Sequence, residues 1–311
     1  MKDIIKPIER ELLKKELNDD TFVRNTNNGN REIFIIDAHN APNTMLEIGR
    51  LREYSFRAAG GGTGEETDID EFDTMKIPFR QLIVWDKDEE EIVGGYRFLE
   101  GYKFQIHDQI VHTPTAHLFR FNQEFVQLYL SKTIELGRSF VQPAFQPTVD
   151  IRKGMYSLDN LWDGLGFLTV NCPGIEYFFG KFTMYPRFNS EARDLIHYFL
   201  NKYFPDPDKL VEAHFPLGYK TNLAGFDNIL ASGVYADDYK ALNTFVRDKG
   251  ENIPPLVNAY MNLSPTMRNF GTAINDTFGD VEETGILIKI ADIYDKKKER
   301  HIMHIDNVRK S

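Results

Sequence analysis

The sequence predicts an α/β protein of the α+β type, in which a central mixed, mainly antiparallel sheet is flanked by helices, with helical additions. Apolar runs of strand length alternate along the chain with segments of helical period. The runs 81–85 and 91–99 are joined by a short charged turn, which predicts an antiparallel hairpin. The 311 residues, of which 41% are hydrophobic, can bury one sizeable core. We therefore expect a single elaborated domain over residues 31–295.

The N-terminal segment, residues 1–30, is expected to hold an amphipathic helix. Its apolar residues recur at helical spacing from Ile4 to Leu17, among lysines and glutamates. Two roles are open for this helix. It docks on the core, or its apolar face contacts a membrane surface.

Strands and helices alternate through the rest of the chain. A first strand over 33–36 and a helix over 44–58 precede the hairpin. After that helix, Gly60-Gly61-Gly62-Thr63-Gly64 breaks regular structure, as a lid over a site or as a plain connector. The later elements are a helix over 119–130, a central strand over 134–141, helices over 158–170, 190–204, 237–247 and after Pro255, and strands over 177–184 and 286–293. The lysine-rich end, residues 296–311, is expected to be a charged, frayed tail.

Charge and composition argue against several classes of protein. The formal net charge of −10 disfavours a nucleic-acid-binding protein, which usually carries a basic stripe. No apolar run approaches the length of a membrane-spanning helix, and the first residues lack the apolar centre of a signal peptide. The single cysteine, Cys172, excludes an internal disulfide. We expect a cytoplasmic protein, with peripheral contact at the inner face of the membrane if the N-terminal helix provides it.

Metal binding and serine-hydrolase chemistry are not expected. His107, His112 and His117 recur every five residues, a spacing that places all three on neither a helix face nor a strand face. No Gly-x-Ser-x-Gly motif is present.

The polar motifs of the chain stand beside its apolar runs in a fixed order. Arg52 and Phe56 are four residues apart and share one face of the predicted helix. The tetrad Asp70-Glu71-Phe72-Asp73 follows, and then Gly94-Gly95-Tyr96-Arg97 and Glu135-Leu136-Gly137-Arg138 on two predicted strands. Charges in such apolar surroundings must pair or carry a function. The set therefore indicates a preorganised polar site.

The order of the elements, with a hairpin before the central strand and a loop-to-helix turn after it, resembles the GNAT acyltransferase architecture. The four motifs are similar, in order and spacing, to the signature of acyl-homoserine-lactone synthases, GNAT-like enzymes that take acyl chains from acyl carrier protein. Other segments look like the ornithine-acyl carrier protein N-acyltransferases, whose relatives include N-acyl-glycine synthases: residues 135–141, Leu161-Trp162-Asp163-Gly164-Leu165, Pro254-Pro255-Leu256 with Tyr260, and 270–278. The resemblance covers about residues 30–295.

The resemblance implies an N-acyltransferase that moves a fatty acyl group, 3-hydroxylated in such enzymes, from acyl carrier protein to the amine of an amino acid such as glycine or ornithine. The product would enter aminolipid synthesis, with an O-acyltransferase as a further partner, and no cofactor would be resident. Two alternatives remain open. One is a signal synthase that acylates and cyclises its acceptor, and the other is a non-catalytic acyl-binding protein.

Acyl transfer from a thioester to an amine needs a base for the amine's proton and donors for the developing oxyanion. Glu135 is the candidate base, because a carboxylate on a buried strand tends to have a raised pKa. The alternative is a structural ion pair of Glu135 with Arg97 or Arg138. One of these arginines is expected to grip the acceptor's carboxylate. Asp70 and Asp73 are expected to hold its ammonium group.

The helix before the glycine-rich loop and the end of the central strand supply further candidates. Arg52 and Phe56 are expected beneath the lid, or else as a rim charge and a core aromatic residue. Backbone N–H groups near Ser139 and Phe140 are assigned to the oxyanion. The donor's phosphopantetheine arm is expected along the strand that ends at Val141.

The loop after the central strand is the expected docking point of the donor. Arg152, Lys153 and Gly154 lie there, and Gly154 is the one glycine of the stretch 146–154. Coenzyme A sites of the GNAT pattern use several glycine N–H groups around the pyrophosphate. A single phosphate and an acidic carrier protein therefore suit this loop better, although two exposed basic residues are also common on ordinary surface.

Overall fold

The computed structural model describes residues 1–108 and 110–302 and confirms a mixed sheet flanked by helices. The strands are β1 (Phe22–Asn25), β2 (Arg31–Ile36), β3 (Arg80–Asp86), β4 (Glu91–Glu100), β5 (Ile106–His107), β6 (Ile110–Val111), β7 (Phe119–Phe121), β8 (Thr133–Val141), β9 (Tyr177–Met184), β10 (Val211–Ala213), β11 (Arg268–Asn275) and β12 (Val281–Lys289). The α-helices are α1 (Arg10–Glu16), α2 (Pro42–Ala59), α3 (Glu71–Thr74), α4 (Ile151–Gly154), α5 (Ser157–Asn171), α6 (Ser190–Tyr203), α7 (Phe226–Ile229), α8 (Tyr235–Asp248), α9 (Pro255–Met261) and α10 (Asp295–His301).

An eight-stranded sheet, in the order β1-β2-β3-β4-β8-β9-β12-β11, forms the centre of the molecule. Its neighbouring strands are antiparallel except β8 and β9, which run parallel. These two strands pair only from Thr133–Leu136 to Tyr177–Gly180, although both continue further. The sheet therefore opens between β8 and β9 near its middle.

Both faces of the sheet are covered, because successive side chains of a strand point to opposite sides. Leu82 and Val84 pack on the face that carries α5 and α6, here called the back face. Ile83 and Trp85 pack on the face that carries α2, here called the front face. Burial on both sides explains why β3 and β4 appear in the sequence as nearly continuous apolar runs.

The predicted hairpin corresponds to β3 and β4, and the predicted central strand corresponds to β8. The helix predicted over 119–130 is wrong in its first part, whereas residues 123–132 are helical. Its first part is β7, which pairs with the distant strand β10, and a π-helical turn follows at Phe125–Tyr129. The aromatic stripe was the source of the error, because Phe121 and Phe125 stack at 5.2 Å and both pack on Phe179 of β9. The final strand lies earlier than predicted, and β11 was not predicted.

The N-terminal helix is shorter than the sequence pattern indicates. Helix α1 begins only at Arg10, because the preceding segment is extended and the N–H groups of Lys2 and Ile5 donate to the carbonyls of Gly64 and Glu66. The apolar stripe of this region packs on α2, with Leu13 buried. The sheet also begins at β1, before the expected domain start at residue 31.

The charged end of the chain differs from the expected frayed tail. Residues 295–301 form α10, and His301 is buried with its Nδ1 atom 2.8 Å from Asp163 Oδ1 of α5. The rest of the predicted tail, residues 303–311, lies outside the described residues. In the described part of the chain, no helix is both long and apolar enough to cross a membrane.

Candidate functional site

A β-bulge in the central strand organises the site. Arg97 of β4 pairs with Gly137 and Gly95 pairs with Phe140, so two residues of β8, Arg138 and Ser139, oppose the single residue Tyr96. Arg138 has a φ of 48°, in the left-handed region. The extra residue turns the side chain of Arg138 to the front face, on which Gly137 also lies.

The bulge coincides with the opening of the sheet. Gly137, Arg138 and Ser139 are half-buried in a strand whose neighbouring residues are buried. A Cβ atom added at Gly137 would meet nothing closer than Arg97 Nε, at 4.0 Å. Arg97 Nε is buried and has no hydrogen-bond partner among the described residues. A small open space therefore lies above Gly137 on the front face, with an unpartnered donor beside it.

Glu135 points to the same face, two residues before Gly137. Its Oε1 atom accepts from the N–H of Thr115 at 3.2 Å and from the hydroxyl of Thr115 at 2.6 Å, and its Oε2 atom accepts from the hydroxyl of Thr113. Three donors leave the carboxylate about one of its roughly four lone-pair positions unused. Glu135 forms no ion pair with Arg97 or Arg138 in the described part of the chain, so the structural-pair alternative is wrong. Sequence reasoning missed both threonines.

Four buried side chains, each from a different element, form what we call the inner cluster: Arg52, Asp73, Gln81 and Arg97. Arg52 Nη1 lies 3.2 Å from both carboxylate oxygens of Asp73, and Arg97 Nη1 lies 3.2 Å from Asp73 Oδ2. Gln81 bridges the pair, because it accepts from Arg52 and donates to Asp73 at 2.9 Å. Arg52 is therefore the anchor of a buried network and not a rim charge.

The pKa values of the inner cluster follow its pairing. Burial alone would raise the pKa of Asp73, but Arg52 and Arg97 outweigh it and hold that pKa well below its usual range. Burial alone would lower the pKa of Arg97, but Asp73 and Asp70 raise it instead. Pairing therefore favours the charged forms of both Asp73 and Arg97.

Asp68, Asp70 and Arg138 form the outer cluster. Arg138 Nε lies 2.8 Å from Asp68 Oδ2, and its Nη2 atom lies 3.7 Å from Asp70 Oδ2. Asp70 also receives Arg97 Nη1 at 2.6 Å and so links the two clusters. The side chains of Arg138 and Asp70 keep exposed fractions of 18% and 30%. Burial raises the pKa of Asp68, against the opposing effect of Arg138. Sequence reasoning missed Asp68.

Asp70 and Asp73 also shape the backbone between the clusters. The side chain of each accepts from the backbone N–H of the other, at 3.2 Å and 3.1 Å, which is a reciprocal cap at the start of α3. Their sequence spacing is therefore explained by the cap as well as by the two arginines.

Aromatic rings support both clusters. The guanidinium of Arg138 lies over Phe278 at 4.4 Å, and Phe278 makes an edge contact with Phe56 at 5.1 Å. Phe56 is thus a core aromatic residue beneath Arg138. On β8, Phe140 is buried in the front-face core, and its carbonyl oxygen would be 2.3 Å from a Cβ at Gly94, so the glycine permits the close approach of β4.

The glycine-rich loop after α2 is tied down. The carboxylate of Glu53 accepts from the N–H of Thr63 at 3.0 Å, from the N–H of Gly64 at 2.7 Å and from Arg57 at 2.6 Å. Burial alone would raise the pKa of Glu53, but these donors bring it below its usual value. The contacts favour a fixed connector over a mobile lid.

The loop after β8 carries the predicted donor residues. Asp150 caps the short helix α4 by accepting from the N–H of Lys153 at 3.0 Å. Lys153 pairs with Glu89 at 2.7 Å, whereas Arg152 is exposed and forms no ion pair with any described residue. A Cβ at Gly154 would lie 2.3 Å from the nitrogen of Pro147, so this glycine is required by packing.

On the back face of the bulge, Ser139 lies beside the buried hydroxyl groups of Tyr96 and Tyr260. Burial raises the pKa of both tyrosines, so they remain protonated. Val141 follows on the same strand and packs at the edge of the back-face core. Groups of three or more residues suited to hold a metal ion do not occur among residues 1–108 and 110–302.

The hairpin β3–β4 and the bulged strand β8 lie within a segment that matches a known enzyme family. Residues 51–152 match the family model described as an acetyltransferase (GNAT) domain. The chain is a GNAT N-acyltransferase.

Two proteins named glycine N(alpha)-acyltransferase, from Phocaeicola vulgatus and Bacteroides thetaiotaomicron, are each 54% identical to this chain. Each match covers 97% of this chain, and 93% and 90% of the two relatives, respectively. The chain therefore belongs to the family of these two proteins. No solved structure matches it.

Proposed function

We propose that the enzyme transfers a fatty acyl group from acyl carrier protein to the amine of glycine, as the first acylation of an aminolipid. The observation that carries the proposal is the open space above Gly137, between Glu135 and the arginines. A space that begins at a missing Cβ suits an acceptor that itself has no side chain. The names of the two relatives support glycine over ornithine.

The acceptor arrives as a zwitterion and must lose a proton before it attacks. Glu135 has one carboxylate position left beside the space, so it can accept the ammonium proton directly or through a water. Arg138 and Arg97 Nε offer donors to the acceptor's carboxylate, and the half-exposed Asp70 faces the same side. Asp73, itself paired with Arg52, holds the guanidinium of Arg97 in place.

The neutral amine then attacks the thioester carbonyl, and the new C–N bond forms before the C–S bond breaks. Backbone N–H groups at the bulge, near Ser139 and Phe140, are the proposed donors to the oxyanion. The nitrogen of the tetrahedral intermediate loses its second proton to the departing sulfur, which leaves as the thiol of the phosphopantetheine arm, and the proton held by Glu135 passes to solvent. The arm would lie in the opening between β8 and β9, along the strand that ends at Val141.

The donor loop supports a carrier protein over coenzyme A. Its one glycine, Gly154, is used for packing, so the loop has no run of glycine N–H groups for a pyrophosphate. Arg152 is free of ion pairs within the described residues and stands on the outside of the loop. It can meet the acidic surface of a carrier protein, and this contact remains a proposal.

The experiment is product analysis by mass spectrometry, with purified enzyme, an acyl carrier protein thioester and a panel of amines. Glycine is expected to be acylated, and Glu135→Gln is expected to reduce the rate at least a hundredfold, because the amide keeps the shape but cannot accept a proton. Glu124→Gln, at an exposed position, is the matched control. Glu135→Gln activity within about tenfold of the unmodified enzyme, a barrier change of only about 1.4 kcal/mol, would refute the base role.

A further inference from the structure

A further ion pair lies at the opening of the sheet, and the proposed acyl transfer does not use it. Lys181 of β9 and Glu283 of β12 form this pair, with Nζ 3.0 Å from Oε2. Their side chains are only 15% and 6% exposed. Asn275 of β11 donates to the other carboxylate oxygen of Glu283 at 3.2 Å.

The register of the strands places Lys181 beside the space above Gly137. Leu136 pairs with Gly180 in the parallel β8–β9 ladder, so Gly137 and Lys181 are the next residues on the two strands. They are on the same face, because Glu135 pairs with Phe179 and each of these lies two residues before Gly137 or Lys181 on its own strand. Arg97 borders Gly137 from the strand on the opposite side. The space therefore lies between two cations, one on each neighbouring strand.

The polar character of β9 begins where its pairing with β8 ends. Phe179, two residues earlier on the same face, is buried in an apolar cluster. Burial alone would raise the pKa of Glu283, but Lys181 outweighs it and lowers that pKa, and Arg138 acts in the same direction. Glu283 is thus within the electrostatic reach of both cations. A nearly buried ion pair is costly to desolvate and contributes little to stability, which makes it weak as a purely structural device.

We propose that Lys181 is a specificity-determining residue that binds the carboxylate of the amino-acid acceptor, and that Glu283 is a positioning residue that holds its ammonium group. This inference rests on the proposed N-acylation of glycine. Lys181 has three N–H donors, and Glu283 occupies one of them. The acceptor's carboxylate would take another, from the side opposite Arg97. The acceptor class is then an α-amino acid with a free carboxylate.

The test compares glycine with glycinamide, which keeps the size and the amine but lacks the anion. In Lys181→Met, kcat/KM for glycine is expected to fall at least tenfold, mainly through a higher KM, while kcat/KM for glycinamide stays within about twofold. The preference for glycine should therefore shrink by the same factor. Lys181→Arg should restore part of it, and Glu283→Gln should raise the KM for glycine with a smaller effect on kcat.

Lys132→Met is the matched control. Lys132 pairs with Glu176 at 2.9 Å at the closed end of the same two strands, but both side chains are nearly half exposed, so neither substrate should be affected. Equal losses for glycine and glycinamide in both Lys181 variants, or an unchanged glycine preference, would overturn the role of Lys181. An unmodified enzyme that acylates glycinamide as well as glycine would overturn carboxylate recognition but leave the N-acylation of glycine in place. An enzyme that acylates neither amine would overturn the proposed function.

Discussion

The inner and outer clusters are both built from arginine and aspartate, with Gln81 added in the inner one. They differ in how far their side chains are exposed to solvent. In the inner cluster every charged side chain is buried and ion-paired: Asp73 receives Arg52, Arg97 and the amide of Gln81. In the outer cluster, Arg138 contacts Asp68 through its Nε side, while its outer nitrogen is 3.7 Å from Asp70. Exposure separates them further, because only Arg138 and Asp70 reach the solvent.

This difference in exposure indicates a structural role for the inner cluster and a substrate-binding role for the outer one. Buried charges that are fully paired position the backbone and the neighbouring groups, and losing one partner leaves another charge uncompensated. A partly exposed arginine with unused donors can instead exchange protein contacts for substrate contacts. Some residues of the motifs that resemble a catalytic signature therefore have a structural role.

The largest expected effect is on stability, through the inner cluster. Asp73→Asn or Arg52→Met should lower the free energy of unfolding by about 3–5 kcal/mol, because each leaves a buried charge without its partner. Asp70→Asn, at a half-buried position of the outer cluster, should cost less than about 1 kcal/mol. Urea unfolding followed by circular dichroism measures both. Similar losses in the two clusters would remove the distinction between them.

The outer cluster should control acceptor use. Arg138→Gln is expected to cost about 2–5 kcal/mol in kcat/KM for glycine, because the acceptor's carboxylate loses a charged partner. That corresponds to a reduction of at least about thirtyfold. Steady-state kinetics give this value, and circular dichroism checks that the variant is folded, because the buried Asp68 loses its ion pair with Arg138. A variant with a lowered thermal midpoint whose folded fraction still uses glycine normally would show that Arg138 has a structural role instead.

The two clusters should respond to acid in opposite senses. The lowered pKa of Asp73 means that its stabilising contribution is present above its unfolded pKa, about 3.9, and is lost as the pH falls through the folded pKa. Asp68, whose pKa is raised, contributes in the opposite sense and is destabilising where it must ionise. Stability should therefore fall below about pH 4, by up to about 1.4 kcal/mol per pH unit for each proton.

The pH dependence of urea unfolding separates these groups. Asp73→Asn should make the decline shallower, and Asp68→Asn should not. Glu282, whose pKa is lowered to about 2 on the back face, supplies a matched comparison outside both clusters. An acid slope that is the same in Asp73→Asn as in the unmodified protein would contradict the pairing deduced for this residue.

The smallest effect is expected outside both clusters, on the donor loop. Arg152→Glu should weaken use of the carrier-bound donor about fivefold more than use of a minimal acyl-pantetheine, because the like-charge repulsion needs the whole carrier. Lys153→Glu should do less, since Lys153 is already paired with Glu89. The loss should shrink as salt rises. Equal losses with both donors would place Arg152 at the phosphopantetheine arm or in the fold.

Local pattern was sufficient for much of the fold. The hairpin of β3 and β4, the central strand β8 and the strand β9 were predicted because their apolar runs are bounded by turns or charges. The pairing of β7 with β10 was not predictable, because its partner lies about ninety residues away. No local signal distinguishes an aromatic strand followed by a π-helical turn from one amphipathic helix.

The candidate site was predicted in part. The resemblance brought together Arg52, Asp73, Arg97 and Arg138, and the structure places all of them at the bulge or against it. It could not supply Thr113 and Thr115, or Lys181 and Glu283, because these contacts depend on which strands become neighbours. Asp68 could have been found as a further acid two residues before Asp70, but only the direction of its side chain links it to Arg138.

The buried Asp163 of α5, which contacts the terminal helix α10, decides where the chain can be shortened. Its carboxylate accepts from the backbone N–H of Asn27 at 2.9 Å and the amide of Asn27 at 2.7 Å, and it contacts His301 at 2.8 Å. It thereby joins the turn after β1, the helix α5 and the terminal helix α10. A protein cut at residue 295, where the sequence pattern suggests that folded structure ends, would lose the contact with His301 and keep only that with Asn27. A shortened protein that keeps this junction of three elements therefore extends through His301.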